Sequence, residues 1–212
     1  MRQDTLESFE VIVVDNGSWD RTRSVALRYK NRLQLRVLSE PRRTRGAARA
    51  RGCAAARGQI IFSTDADAEL PANWLRTYSA ALRRKNAVAV GGSCVINDCT
   101  PLTNFMFNLY QPLSFRVMRM FRCIVLRGAN FAVTRQAYAA SGGFQPDFDA
   151  MEDVDFSNRV RTVGKLLYIA QPKVLVSGRR YQGGLLRGVW QHLSTFIDAI
   201  LLKKKNVTLS CA

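Results

Sequence analysis

Two kinds of apolar pattern divide this chain. Phe9–Val14 and Gln59–Ser63 are short runs rich in β-branched residues with little alternation, as expected of strands covered on both faces. Leu33–Leu38, Ala87–Val95 and Asn130–Val133 predict further strands, as do the pair Leu166–Ile169 and Val174–Val176. Between them lie stretches with helical spacing. These are residues 20–31, 44–57, 71–85 with Pro71 at the first helical position, 134–141 stopped by Gly142 and Gly143, and 151–163 stopped by Gly164. Strand and helix alternate through the first half, which predicts an α/β sandwich with a mainly parallel sheet; the second half is more mixed.

At 212 residues and 47% hydrophobic composition the chain fits one domain. A chain of this length buries roughly 70% of its unfolded surface, so it needs neither disulfides nor a structural metal to hold a core. Its 5 cysteines include no C-x-x-C pair, which argues against a disulfide framework or a zinc knuckle and leaves a reducing, cytoplasmic setting as the expectation. The first ten residues carry charges of both signs and no apolar stretch, unlike a secretory signal. No apolar run reaches the roughly 18 residues that span a bilayer.

Charge narrows the field of partners. The formal net charge is +16, from 32 Lys and Arg against 16 Asp and Glu, so an anionic partner or surface is expected. Nucleic acid, anionic lipid and phosphorylated small molecules all satisfy that condition. Leu102–Leu126 mixes Phe, Met, Leu and Tyr with Arg116, Arg119 and Arg122 and contains no acid; Leu185–Lys205 ends in three lysines. Each reads either as a helix lying in an anionic lipid interface or as a core helix with a solvated basic face.

The candidate chemistry sits at strand ends. In Thr64-Asp-Ala-Asp67 two carboxylates follow a buried strand at positions i and i+2, where strand periodicity would point both the same way. Like charges so close repel unless a cation lies between them, and a hard divalent ion with oxygen ligands is the usual solution. Turn or N-cap aspartates ahead of Pro71 explain the same pair without an ion. Asp15-Asn-Gly-Ser18 repeats the plan of strand, polar turn and helix start, which suits a ribose and a phosphate or is simply a capped turn. Glu152, Asp153 and Asp155 open a helix, where acids also complement the macrodipole.

Six segments in order and register carry a resemblance. They are Asp15–Thr22, Arg45–Gly52 with Ala56–Gly58, Asp65–Asp67 with Leu70-Pro71, Gly128–Phe131, Gly142–Phe144 and Glu152–Asp155. In order and spacing the chain resembles glycosyltransferase family 2 from about Phe9 to Tyr181. The resemblance implies a GT-A-like (Rossmann-like) α/β fold, with a mixed, mainly parallel sheet flanked by helices. It also implies an inverting, metal-dependent transfer of a sugar from a nucleotide-diphosphate donor to an acceptor hydroxyl.

By that analogy Asp15, Gly17, Ser18, Arg45, Asp65 and Arg180 would bind the nucleotide-sugar. Asp67 and Asp65 would hold Mg²⁺ or Mn²⁺, and Gly128, Ala129 and Asn130 would face the acceptor. Asp153, with Glu152, would supply the catalytic base. Residues 1–98 would form the nucleotide-binding half, 99–181 the acceptor-binding half, and 182–212 a basic amphipathic helix. His192, the only histidine, reads as a surface or packing residue rather than a metal ligand.

Arg179-Arg-Tyr181 departs from the Gln-x-x-Arg-Trp form of processive synthases, which implies a single addition; an interfacial helix would fit a lipid-linked acceptor. Family members begin with an extra strand and helix, whereas eight residues precede Phe9 here. The expectation is a chain without that strand, whose central place in the sheet would leave backbone edges open. A basic nucleic-acid binder without catalysis is the alternative; against it, no RNP strand, KH loop or zinc finger is found, and the clustered acids would repel phosphate. A nucleotidyltransferase is the third reading.

Overall fold

The structure, a computed structural model, describes residues 3–120, 124–183 and 190. The elements are β1 (Val11–Asp15), α1 (Thr22–Leu27), β2 (Leu35–Ser39), α2 (Arg45–Ala55), β3 (Ile60–Thr64), α3 (Trp74–Arg84) and β4 (Ala89–Val95). They continue with α4 (Pro101–Met120), β5 (Asn130–Thr134), α5 (Arg135–Ala140), α6 (Glu152–Val163) and β6 (Leu166–Leu175), then a 3₁₀ turn at Arg179–Tyr181.

Local chemistry sets most boundaries. Thr44 Oγ1 accepts from Ala47 N at 3.1 Å and caps α2, and Thr134 caps α5 in the same way through Ala137 N at 3.2 Å. Gly142 and Gly143 follow α5 at φ +77° and +63°, a left-handed backbone that side chains disfavour. Three expectations are corrected. Helix α1 covers only Thr22–Leu27 and buries no residue, so no packed face extends it toward Asn31. Helix α3 starts at Trp74, because Pro71–Asn73 form a turn in which Trp74 N donates to Pro71 O at 3.0 Å. The two short strands expected at 166–176 are one strand, β6, whose pairing with β4 shifts register between Gly92 and Cys94.

The strands form two sheets. β1 and β2 pair in parallel, Val11 opposite Leu35 through Asp15 opposite Ser39. The other sheet has the order β3-β5-β4-β6. There β5 runs against both β3 and β4 while β6 runs with β4, so three of its strands share one direction. The result is a GT-A-like mixed, mainly parallel α/β arrangement flanked by helices.

Alternation along the buried strands splits the core in two. Ile61, Ala89, Phe131 and Val133 pack with Cys53 of α2, Ala137 of α5 and Phe156 and Val160 of α6. Val90, Ala132 and Val174 pack with Trp74, Tyr78 and Leu82 of α3 on the other face. Residues 3–7 run along α3: Gln3 Nε2 donates to Pro71 O at 2.9 Å, Asp4 meets Arg76 at 2.9 Å, and Glu7 meets Arg83. The first strand among the described residues is β1.

Helix α4 is turned inside out. Among its described residues Thr103, Phe107 and Gln111 are buried, whereas Leu102, Phe105, Leu109 and Leu113 are exposed, Leu102 at 72%. The polar inner face is held by hydrogen bonds: Asn108 Oδ1 accepts from Ile96 N at 3.1 Å, and Asn104 Oδ1 accepts from Cys99 N at 3.2 Å, which ties the helix to the end of β4. Among the described residues no helix is long and apolar enough to cross a membrane. The expected helix at 185–205 and His192 lie outside the described residues, Trp190 aside.

Candidate active site

Four elements converge on one guanidinium. Arg49, in the middle of α2, donates through Nη2 to Asp65 Oδ1 at 2.8 Å and through Nε to Glu152 Oε1 at 3.2 Å. Its Nη1 donates to Ser63 Oγ and to Gly128 O, both at 2.9 Å. The guanidinium therefore ties α2 to the end of β3, to the turn before β5 and to the first turn of α6. Gly128 is required by this approach: a Cβ there would stand 2.2 Å from Arg49 Nη2. Gly128 N in turn donates to Asp153 Oδ2 at 3.3 Å, which brings the second carboxylate of α6 to the same place.

The electrostatics follow from burial. Burial alone would loosen the Arg49 proton, but Asp65 and Glu152 reverse that and leave it more firmly protonated than an ordinary arginine. Glu152 is only 4% exposed. Burial, and next the charge of Asp153, raises its pKa above the ordinary carboxyl value against the pull of Arg49. Glu152 is thus occupied in holding Arg49, whereas Asp153 is only partly buried and lines a cavity.

That cavity has a volume of about 2950 Å³ and brings together most of the expected site. Arg45, Asp65, Asp67, Gly128, Ala129, Glu152, Asp153 and Arg180 all line it. Asp65 and Asp67 lie beyond the end of β3, in a turn closed by Ala68 N donating to Asp65 O at 3.2 Å, so strand alternation does not govern them. Each takes its own guanidinium, Asp65 that of Arg49 and Asp67 that of Arg179 at 3.3 Å. Asp98 places Arg179 and Arg180 by accepting from Gly178 N at 2.7 Å and Ser177 Oγ at 3.1 Å.

Other expected residues stand apart. Asp15, Gly17 and Ser18 do not line the cavity, although their neighbour Asn16 does. Asp15 Oδ1 accepts from Ser18 N at 3.0 Å; the Ser18 hydroxyl and amide hold its carboxyl below the usual range. Gly17 has φ +72° and Arg43 lies against it. The side chain of Asn130 faces the core: its Oδ1 accepts from Trp74 Nε1 at 2.9 Å and Tyr78 Oη at 2.6 Å, and its Nδ2 donates to Ser93 O at 2.8 Å. It locks the sheet to α3, and the side chain is buried away from the cavity that Gly128 and Ala129 line.

Arg49 and Ser63 are the residues that sequence reasoning leaves without a role. The signal for Arg49 is its place between Ala48 and Ala50, four residues after Arg45 and hence on the same helical face.

Comparison with known proteins gives the family and the fold. The profile of glycosyl transferase family 2 matches residues 1–139. Two dolichyl-phosphate beta-glucosyltransferases of Trichomonas vaginalis are similar to the chain. One is 42% identical over 62 residues, covering 28% of this chain and 19% of the relative. The other is 29% identical over 111 residues, covering 47% of this chain and 33% of the relative. The chain therefore matches at most about a third of the length of these curated relatives.

Among solved structures, S. aureus TarS 1–349 in complex with UDP superposes with a TM-score of 0.65 at 15% identity, over 98% of this chain and 60% of that one. The mannosyltransferase PcManGT from Pyrobaculum calidifontis, in complex with GDP-Man and Mn²⁺, gives 0.62 at 23% identity, over 87% of this chain and 55% of that one. At these identities the likeness is one of fold.

Proposed function

As a member of glycosyl transferase family 2, this chain, we propose, moves a sugar from a nucleotide-diphosphate donor to an acceptor hydroxyl in the cavity built around Arg49. The single observation that carries this reading is the meeting of Asp65, Glu152 and the Gly128 carbonyl on one half-buried guanidinium, with Asp153 held beside it by the Gly128 amide. We assign residues 1–98 to the nucleotide and 99–181 to the acceptor.

Asp65 and Asp67 suit a hard cation that takes one or two carboxylates and completes its shell from phosphate and water, as Mg²⁺ and Mn²⁺ do. Among the described residues no three His, Cys, Asp or Glu side chains converge, so the donor's phosphates are needed to finish the site. When bound, such a cation supplies Lewis-acid stabilisation of the charge on the leaving diphosphate. Arg179 and Arg180, at the cavity edge, add guanidinium donors of the kind that pair with phosphate oxygens.

Asp153 is the base that takes the acceptor's proton, and displacement from the side opposite the diphosphate inverts the anomeric carbon. The Gly128 amide orients its carboxylate. Glu152 acts through Arg49, as a positioning residue.

The acceptor is lipid-linked in this reading. Helix α4 exposes Leu102, Phe105, Leu109 and Leu113, carries no acid, and reaches the cavity through Met106, Phe107 and Tyr110. An apolar face beside cationic side chains complements an anionic lipid surface. The Trichomonas relatives, dolichyl-phosphate beta-glucosyltransferases, point the same way.

The test is release of nucleotide from UDP- and GDP-linked sugars by the chain with a polyprenyl phosphate in anionic vesicles. Expected is release that needs both Mn²⁺ and the lipid acceptor and that falls at least tenfold in Phe105→Glu/Leu109→Glu. Activity toward soluble acceptors alone, unchanged in that variant, would remove the membrane reading. Transfer of a nucleotidyl group instead of a sugar would remove the reaction.

A further inference from the structure

The two carboxylates after β3 are neutralised in different ways. Asp65 meets Arg49, a side chain only 15% exposed that Ser63, Gly128 and Glu152 also hold. Asp67 meets Arg179 at 3.3 Å, and the Arg179 side chain is 74% exposed. The first cation is fixed, whereas the second has solvent on most sides and can leave.

Backbone contacts on both sides arrange the meeting of Asp67 with Arg179. Glu69 N donates to Leu175 O at 2.7 Å and Leu175 N donates to Glu69 O at 3.1 Å, an antiparallel bridge that binds the turn after β3 to the end of β6. Asp67 stands shortly before this bridge and Arg179 shortly after it. Asp98 anchors the turn that carries Arg179 through Gly178 N and Ser177 Oγ, and Cys99 Sγ donates to Gly178 O at 3.1 Å. A Cβ on Gly178 would stand 2.6 Å from both Asp98 Oδ1 and Cys99 Sγ, so the fit there is tight. The Tyr181 ring closes the turn against Phe107 of α4, edge-on, with centroids 5.2 Å apart. With the backbone held at so many points, the movement open to Arg179 is a swing of its long side chain.

We infer that Arg179 is the counter-ion Asp67 holds in place of a divalent cation, and that the diphosphate of a nucleotide draws it away, so that nucleotide and cation bind cooperatively. The inference rests on the proposed donor site and adds how that site fills. A guanidinium and a divalent cation on one carboxylate are like charges at close range, and they repel. A cation arriving alone must therefore displace Arg179 into water. Arg179 and Asp67 line the same cavity, and a diphosphate bound there offers the displaced guanidinium oxygens of the kind it pairs with best. The cation arriving with nucleotide loses nothing by that displacement. By linkage, the factor that nucleotide adds to cation affinity is the factor that the cation adds to nucleotide affinity. The factor owed to Arg179 is modest, since an exposed pair shifts an equilibrium by about two- to fivefold. A pair of that strength holds the carboxylate when the site is empty and yields when the donor enters.

The experiment is titration of Mn²⁺, with free ion read by electron paramagnetic resonance, in the presence and absence of UDP or GDP. Wild type is compared with Arg179→Gln and Arg180→Gln, both at exposed side chains whose loss leaves the core intact. In Arg179→Gln, Mn²⁺ alone is expected to bind about two- to fivefold more tightly than in wild type, and the gain in Mn²⁺ affinity brought by nucleotide should shrink. Arg180→Gln removes a neighbouring charge without touching the pair, and Mn²⁺ alone should bind it as it binds wild type. Equal affinity for Mn²⁺ alone in wild type and Arg179→Gln, or an equal rise in both variants, would overturn the inference while the donor reading stands. Nucleotide that wild type binds equally with and without Mn²⁺ would remove the donor site, and the inference with it.

Discussion

Arg49 Nη2 donates to Asp65 Oδ1 at 2.8 Å, and this bond ties the middle of α2 to the end of β3. The partners differ in setting: the Arg49 side chain is 15% exposed and that of Asp65 43%. Asp65 can therefore exchange part of its bonding for a ligand while Arg49 stays fixed by Ser63, Gly128 and Glu152.

Arg49→Met fills much of the same space and removes the charge. Glu152 then stays buried beside Asp153 with no cation, and breaking a buried pair from one side costs about 3–5 kcal/mol. A fall of that size in unfolding free energy by denaturant titration is expected, with transfer activity lost. Unchanged stability would show that Glu152 finds another partner.

Gly128→Ala separates the site from the fold. The added methyl would sit 2.2 Å from Arg49 Nη2 and 2.3 Å from its Cζ, and a side chain held by four partners gives way only by breaking some of them. Turnover is expected to fall at least a hundredfold while far-ultraviolet circular dichroism is retained. Wild-type turnover would show that Arg49 tolerates displacement.

Much of this was legible in the sequence, and the failures are instructive. Asp65, Asp67, Gly128 and Asp153 could be placed beside one cavity because each lies next to the end or the start of an element that the apolar pattern marks, β3, β5 or α6. Asn130 stands in the same motif as Gly128, yet its side chain is drawn into the core by Trp74 and Tyr78, contacts of long sequence separation that no local pattern reports. The outward apolar face of α4 was legible as a stripe but not in its direction. Asn104 and Asn108, by bonding the end of β4, decide which side faces in.

Asp153→Asn keeps size and the contact with the Gly128 amide but cannot accept a proton. A positioned base contributes typically 10²–10⁴-fold, so kcat is expected to drop in that range with donor KM nearly unchanged. A fall confined to KM would make Asp153 a binding residue.

The raised pKa of Glu152 has a signature in stability. In the folded chain this carboxyl holds its proton to higher pH than in the unfolded chain, so its favourable contribution is full below the ordinary carboxyl range and is lost as pH rises through the folded value. Glu152→Gln has no such dependence. Denaturant midpoints measured in steps from pH 4 to pH 8 should show wild type losing stability relative to Glu152→Gln as pH rises. A difference that is flat or grows with pH contradicts the assignment.

The most direct measurement is calorimetric titration of UDP and GDP into the chain with Mn²⁺, with chelator, and in Asp67→Asn. One saturable site for at least one of the two nucleotides is expected, weakened at least tenfold by chelator and equally by Asp67→Asn. Binding of the same strength in all three conditions would contradict a donor site built on the carboxylates after β3.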